Sequence, residues 1–123
     1  MLTGRCHCGE TTFEIHGDVP QALTRCTCTL CSKRGHLFAY YDPASVRVHA
    51  HPESDRVYRW QTKLVAHHFC GTCGCATYSD SPDSQPDGTG DGKTRRIAVN
   101  ARLLDHFDAE EWPHTVIDGR NLW

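Results

Sequence analysis

Three thiols fall within six residues at Cys26-Thr27-Cys28-Thr29-Leu30-Cys31, too close together for all three to serve a packed core. Thiolates are soft ligands that select zinc, copper(I) or iron–sulfur centres. Zinc in proteins usually takes four ligands, and a site with three protein ligands keeps a position open for water or substrate. No fourth cysteine or histidine lies within the loop: Lys33 and Arg34 follow it, and the nearest histidine is His36. The spacing therefore reads as a zinc site with one reactive face.

Two further cysteine groups flank it: Cys6-His7-Cys8-Gly9 and Cys70-Gly71-Thr72-Cys73-Gly74-Cys75. Glycine directly after a chelating pair lets the backbone turn through conformations that a Cβ would obstruct. Pairing Cys6 and Cys8 with Cys70 and Cys73 yields four thiolates, a closed structural site joining the N-terminus to the middle of the chain. Spacing alone leaves other pairings open, such as Cys8 or Cys75 completing the central site. Cys75 is otherwise expected to sit as a small buried apolar group beside the second knuckle. A thioredoxin-type redox role for Cys70 and Cys73 needs a helix N-terminus behind the first thiol, whereas the run from Gly74 to Tyr78 reads as extended. His67 and His68 abut Cys70 and must face opposite ways on a strand; either can back the metal ligands or meet substrate. His49, His51, His106 and His114 read as surface residues.

The elements that must position these groups are short. The stretches 11–16 and 45–49 alternate polar and apolar residues, and 36–41 is an aromatic-rich run stopped by Asp42-Pro43, all strand signals. The stretches 56–61, 64–69 and 96–100 also read as strands, and 21–25 as a lead-in to the thiol loop. Only 102–112 looks helical, with Pro113 to end it. Regular short strands without βαβ alternation predict an antiparallel, mostly-β fold. Residues 79–93, rich in Asp, Ser, Pro and Gly and lacking an apolar anchor, are expected to form a flexible surface loop. Asp83, Asp87 and Asp91 within it do not have the spacing of a calcium loop. The chain shows no internal repeat.

A chain of 123 residues is expected to form one domain, 1–123, with a modest core. Its 38% hydrophobic content is lean, and metal bound only in the folded state adds folding free energy. Residues 1–6 carry no apolar run behind a basic start, and no stretch is long enough to span a bilayer. The expected compartment is therefore cytoplasmic, with no membrane partner, where clustered cysteines bind metal rather than form disulfides. A net charge of −2 with no basic stripe argues against nucleic-acid partners, a zinc ribbon included.

The order Gly4-Arg5-Cys6-His7-Cys8-Gly9, then Cys26-x-Cys28-x-x-Cys31-x-Lys33-Arg34-Gly35, then His68-Phe69-Cys70-x-x-Cys73-Gly74 resembles the glutathione-dependent formaldehyde-activating (GFA) family. The late Val99-Asn100-Ala101-Arg102-Leu103-Leu104 and the closing Asp118-Gly119-Arg120-Asn121-Leu122-Trp123 are similar to it as well, so the match spans nearly the whole chain. The resemblance implies a zinc-bearing, mostly-β, tent-like fold (β-tent) related to the Mss4-like group. It implies a structural zinc on Cys6, Cys8, Cys70 and Cys73 and a catalytic zinc on Cys26, Cys28 and Cys31. The family's named activity, a carbon–sulfur lyase reaction, joins formaldehyde to glutathione, and one branch is related to centromere protein V. The acidic 79–93 loop and the extra Cys75 depart from the pattern, and both bear on substrate access.

On that reading a thiol, glutathione by resemblance, enters the open position, loses its proton and attacks a small aldehyde. Three thiolates on a dication leave a net charge of −1, and glutathione is itself anionic. Nearby cations would then help: Arg25, Lys33 and Arg34 flank the loop, and Arg5 flanks the first knuckle. The competing reading is a non-catalytic zinc-stabilised module that binds a small thiol or a protein partner, with the third site closed by Cys75 or a histidine. Self-association into a homo-oligomer is compatible with either.

Overall fold

A computed structural model describes residues 1–60, 63–82 and 94–122. Ten short strands and two helical segments follow in the order β1 (Leu2–Arg5), β2 (Thr11–Ile15), β3 (Leu23–Cys26), α1 (Thr29–Arg34), β4 (Phe38–Tyr41), β5 (Val46–Ala50), β6 (Asp55–Tyr58), β7 (Ala66–Cys70), β8 (Ala76–Pro82), β9 (Arg95–Asn100), β10 (His114–Ile117) and α2 (Gly119–Leu122). Strands β1, β2 and β5 make a three-stranded antiparallel sheet, and the larger sheet runs β10-β3-β4-β9-β8-β7-β6. The fold is mostly β, as the alternation in the chain predicts. In β2, Thr11, Phe13 and Ile15 are buried while Thr12 and Glu14 are half-buried, the two-residue period of a strand with one face on a core.

Both sheets feed one apolar cluster. Phe13 and Ile15 from the small sheet meet Leu23, Ala39, Ile97 and Val99 from the large one, with Leu37 just before β4 and Ala101, Leu104 and Ala109 from the turns beyond β9. No helix among the described residues is long and apolar enough to cross a membrane.

Four expectations need correction. The pairing is not antiparallel throughout: β10 runs parallel to β3, placing Val116 beside Arg25 and Ile117 beside Cys26. No α-helix forms over 102–112; two single 3-10 turns, Ala101–Leu103 and Ala109–Glu111, stand there instead. Asn100 and Asp108 each accept a backbone N–H two residues on, and His106 at φ 53° breaks the run between them. Such side-chain caps compete with a continuous helix. The surface loop expected at 79–93 begins later, because Ser79–Pro82 continue β8 against β9; residues 83–93 lie outside those described. Finally, α1 occupies ground read from the sequence as loop.

The start of β1 depends on a close approach. Gly4 pairs with Phe13, bridges to Leu104, and would carry any Cβ only 2.7 Å from the Leu103 carbonyl oxygen. Gly4→Ala is therefore expected to cost about 1–3 kcal/mol, the range for overpacking a tight core. A lowered denaturant midpoint at unchanged m value would show it.

Candidate metal centre and cavity

The two knuckles come from distant parts of the chain. After β1, Cys6 closes a turn in which the Gly9 N–H donates to its carbonyl (3.1 Å) and the Cys6 N–H pairs with the Thr11 carbonyl (3.0 Å). After β7, a bulge at His68/Phe69 leads into a matching turn: the Gly74 N–H donates to the Cys70 carbonyl (2.7 Å) and the Cys70 N–H to that of Cys75 (2.9 Å). Gly9 and Gly74 sit at φ 85° and 84°, a left-handed conformation that a side chain disfavours.

These turns gather Cys6, Cys8, Cys70 and Cys73 so that all four sulfurs lie within 4.8 Å of one another. The Cys6–Cys8 and Cys8–Cys70 sulfur separations are 3.7 and 3.6 Å. A tetrahedral zinc with ~2.3 Å bonds to sulfur requires about 3.8 Å between ligands, so the set fits a closed tetrahedral ion. Against the upward push of burial, the N–H groups of Cys75 and Cys8 bring Cys73 down to about 6, prepared to serve as thiolate. Cys75 lies beside this group and is half-buried; it takes no part in the central one.

The central group is Cys26, Cys28 and Cys31, again within 4.8 Å. Cys26 ends β3. Cys28 is the N-cap of α1, its sulfur accepting the Cys31 N–H at 3.3 Å, and Cys26 accepts the Cys28 N–H at 3.4 Å. A sulfur at a helix N-terminus faces unpaired amides and the positive end of the local dipoles, which favour the thiolate. The Cys31 thiol, donating to it, and the Cys28 and Gly119 amides bring Cys26 down to about 6 against burial. Cys31 is pushed far upward, first by holding its proton for Cys26 and then by burial. Among the described residues no fourth ligand joins this group, and the donor set suits a thiophilic ion with a position to spare.

A cavity of about 490 Å³ adjoins it, lined in part by Cys26, Cys31, Arg25, His36, Arg102 and Arg120, within the ~300–1,000 Å³ typical of small-molecule sites. The C-terminal segment builds one wall. Thr27 donates to Asp118 (2.7 Å), which also receives the Asn121 amide (2.6 Å), and the Thr27 N–H donates to the Ile117 carbonyl (2.9 Å).

Of the cations singled out from the sequence, Arg25 lines the cavity. Lys33 is exposed in the last turn of α1. Arg34 is half-buried and donates to the His68 carbonyl at 3.3 Å, tying α1 to β7, and Arg5 packs over Gly9 at the first knuckle. His67 and His68 do face opposite ways. His67 meets Ser79 at 3.0 Å, and His68 meets Asp55 at 2.8 Å while stacking on Tyr78. Sequence reasoning gave no role to His36 and left Arg102, Asp118, Arg120 and Asn121 as parts of motifs. The only sequence signal for His36 was its place five residues beyond Cys31.

His36 stands out physically. It is 2% exposed, stacked on Phe38 with ring centres 3.9 Å apart, and neither ring nitrogen has a hydrogen-bond partner. Leaving a buried polar group unpaired costs about 1–3 kcal/mol.

The family model described as glutathione-dependent formaldehyde-activating enzyme matches residues 1–109. The chain belongs to this family. The crystal structure of a Rhodobacter sphaeroides protein is also similar, with a TM-score of 0.72 and 26% identity over 92% of this chain and 99% of that one. The GFA match ends before β10 and α2, the segment that contributes Asp118, Arg120 and Asn121 to the cavity lining.

The two sulfur groups can be separated by experiment. Cys28→Ser keeps a good N-cap but replaces a thiolate with a hydroxyl. It is expected to lose one of two metal equivalents with the far-ultraviolet circular dichroism unchanged. Cys73→Ser is expected to unfold the chain, since a structural zinc contributes about 10–16 kcal/mol in small domains, as much as most domains possess in total. Metal analysis and thermal melts that came out alike for both variants would refute the division.

Proposed function

We propose that this protein is a zinc-dependent carbon–sulfur lyase of the GFA type, adding a thiol such as glutathione to a small aldehyde such as formaldehyde. One observation carries the reading: of three clustered thiols, Cys26 and Cys31 line a cavity, and the group leaves room for a ligand from outside. When bound there, a metal ion supplies acidification of a coordinated thiol and a fixed place for it.

The chain's own residues supply the rest. Cys26, Cys28 and Cys31 hold the ion, and the Cys28 and Cys31 amides keep two of those sulfurs as acceptors. Arg25, Arg102 and Arg120 line the wall and attract a thiol that carries carboxylates. Arg102 is held in place by the Gly35 carbonyl at 2.8 Å and by Glu110. Hydrogen bonds among Thr27, Asp118 and Asn121 fix the C-terminal part of the lining. Holding thiol and aldehyde together replaces a bimolecular encounter with an oriented one. We read the chain as a single domain that works in a reducing compartment, the cytoplasm; its eight unbridged cysteines support this.

Isothermal titration of the metal-loaded protein provides the test. Glutathione is expected to bind with release of a proton, seen as a heat that depends on the buffer's ionisation enthalpy. S-methylglutathione, which has no proton to lose, is expected to bind at least about tenfold more weakly, a difference of ~1.4 kcal/mol. Equal affinity for the two, or a central ion with four protein ligands both with and without glutathione, would leave a non-catalytic binding module instead.

A further inference from the structure

Four buried side-chain polar atoms among the described residues lack a partner, and two of them are the ring nitrogens of His36. Buried polar groups are paired in the great majority of cases, so an orphaned ring at a cavity needs an explanation. The ring is not free to turn away and find partners. Its stack on Phe38 holds one face. The chain on both sides is pinned: the Gly35 carbonyl accepts from Arg102 (2.8 Å), the Leu37 N–H donates to Asn100 (3.4 Å), and the Leu37 carbonyl accepts from the Ala101 N–H (2.8 Å).

The other neutral side-chain oxygen and nitrogen donors that line the cavity are already used. Thr27 and Asn121 donate to Asp118, and Ser32 donates to the Thr29 carbonyl. His36 lines the cavity together with Cys26 and Cys31 and retains its full hydrogen-bonding capacity.

We propose that His36 is the hydrogen-bond partner of the substrate oxygen derived from the aldehyde. The assignment rests on the lyase reading above and adds a substrate contact to it. In the addition, the S–C bond forms, the carbonyl π pair moves to oxygen, and the proton lost from sulfur finishes on that oxygen. Negative charge therefore builds on the oxygen, and a donor fixed in advance at that place stabilises it. Burial first, then the charges of Arg34, His67 and Arg102, push the His36 pKa down to about 3. The ring is thus a neutral imidazole, offering one N–H and one lone pair, a form competent to polarise a carbonyl.

His36→Phe keeps the stack and the volume while deleting both nitrogens, and His36→Gln returns a donor. Both variants are expected to retain two metal equivalents and unchanged glutathione affinity, and His36→Phe to melt no lower than the parent. Turnover of glutathione with formaldehyde is expected to fall about 10²-fold or more in His36→Phe and to recover in part in His36→Gln. In the parent protein, glutathione plus formaldehyde is expected to move a ring ¹⁵N resonance of His36 that glutathione alone leaves in place. Full turnover in His36→Phe, or ring resonances unmoved in the bound adduct, would overturn the assignment of His36 only. A parent protein that binds no glutathione would overturn the lyase reading itself.

Discussion

Four sulfurs drawn from turns some sixty residues apart must share one point, and the rest of the molecule is arranged around that requirement. Cys8 and Cys70, 62 positions apart in the chain, approach to 3.6 Å. Without a cation the group works against itself: the Glu10 N–H favours the Cys8 thiolate, yet desolvation and the neighbouring thiols push Cys8 up to about 12. Like charges this close cannot all ionise in the absence of a counter-charge. A dication at their centre would reverse the sign of that interaction and would join the small sheet to the β7–β8 hairpin. The apolar cluster is small, ten buried residues of which three are alanine, so chelation and packing must cooperate in holding the sheets together.

The central group is built on a different plan. Its sulfurs come from one strand end, one helix cap and the first turn of that helix, a local arrangement that spends little loop-closure entropy. Local sulfurs alone do not make a pocket, and here the parallel strand β10 contributes. By pairing Ile117 with Cys26 it brings Asp118, Arg120 and Asn121 against the loop from the far end of the chain. Arg34 then ties α1 to the carbonyl of His68, two residues before Cys70 of the four-sulfur group. The two sulfur groups are therefore mechanically linked through β7.

Much of this was legible in the residues. Strand signals located β2, β4, β5, β7 and β9 to within two residues, and one of the cysteine pairings that the spacing left open is the grouping that the structure assembles. What escaped reading was non-local. Nothing within His114–Ile117 announces a parallel partner, because an exposed edge strand carries little apolar periodicity. The six-residue α1 is too short for a helical repeat, and its cap is a cysteine rather than the Ser, Thr, Asp or Asn that signals a start. Over 102–112 the composition favours a helix, and side-chain capping by Asn100 and Asp108 prevails. His36 was invisible for the same reason: only the fold reveals that its nitrogens have no partner.

Charge decides which thiols such a site can favour. Three thiolates around a dication carry −1, and a fourth from the ligand makes −2. Arg25, Arg102 and Arg120 on the cavity wall oppose Asp118 alone among the carboxylates there. Glu110, outside the wall, also draws on Arg102, and Asp118 is occupied by Thr27 and Asn121, whose hydrogen bonds hold its carboxyl below the usual range. The cationic excess therefore rests mainly on Arg25 and Arg120. A small neutral thiol would meet the sulfur cluster but leave those guanidiniums unused, whereas a thiol bearing carboxylates at a distance from its sulfur satisfies both. On the lyase reading proposed above, selectivity would follow from the separation between the sulfur cluster and the cations, and β10, by pairing with β3, would set that separation.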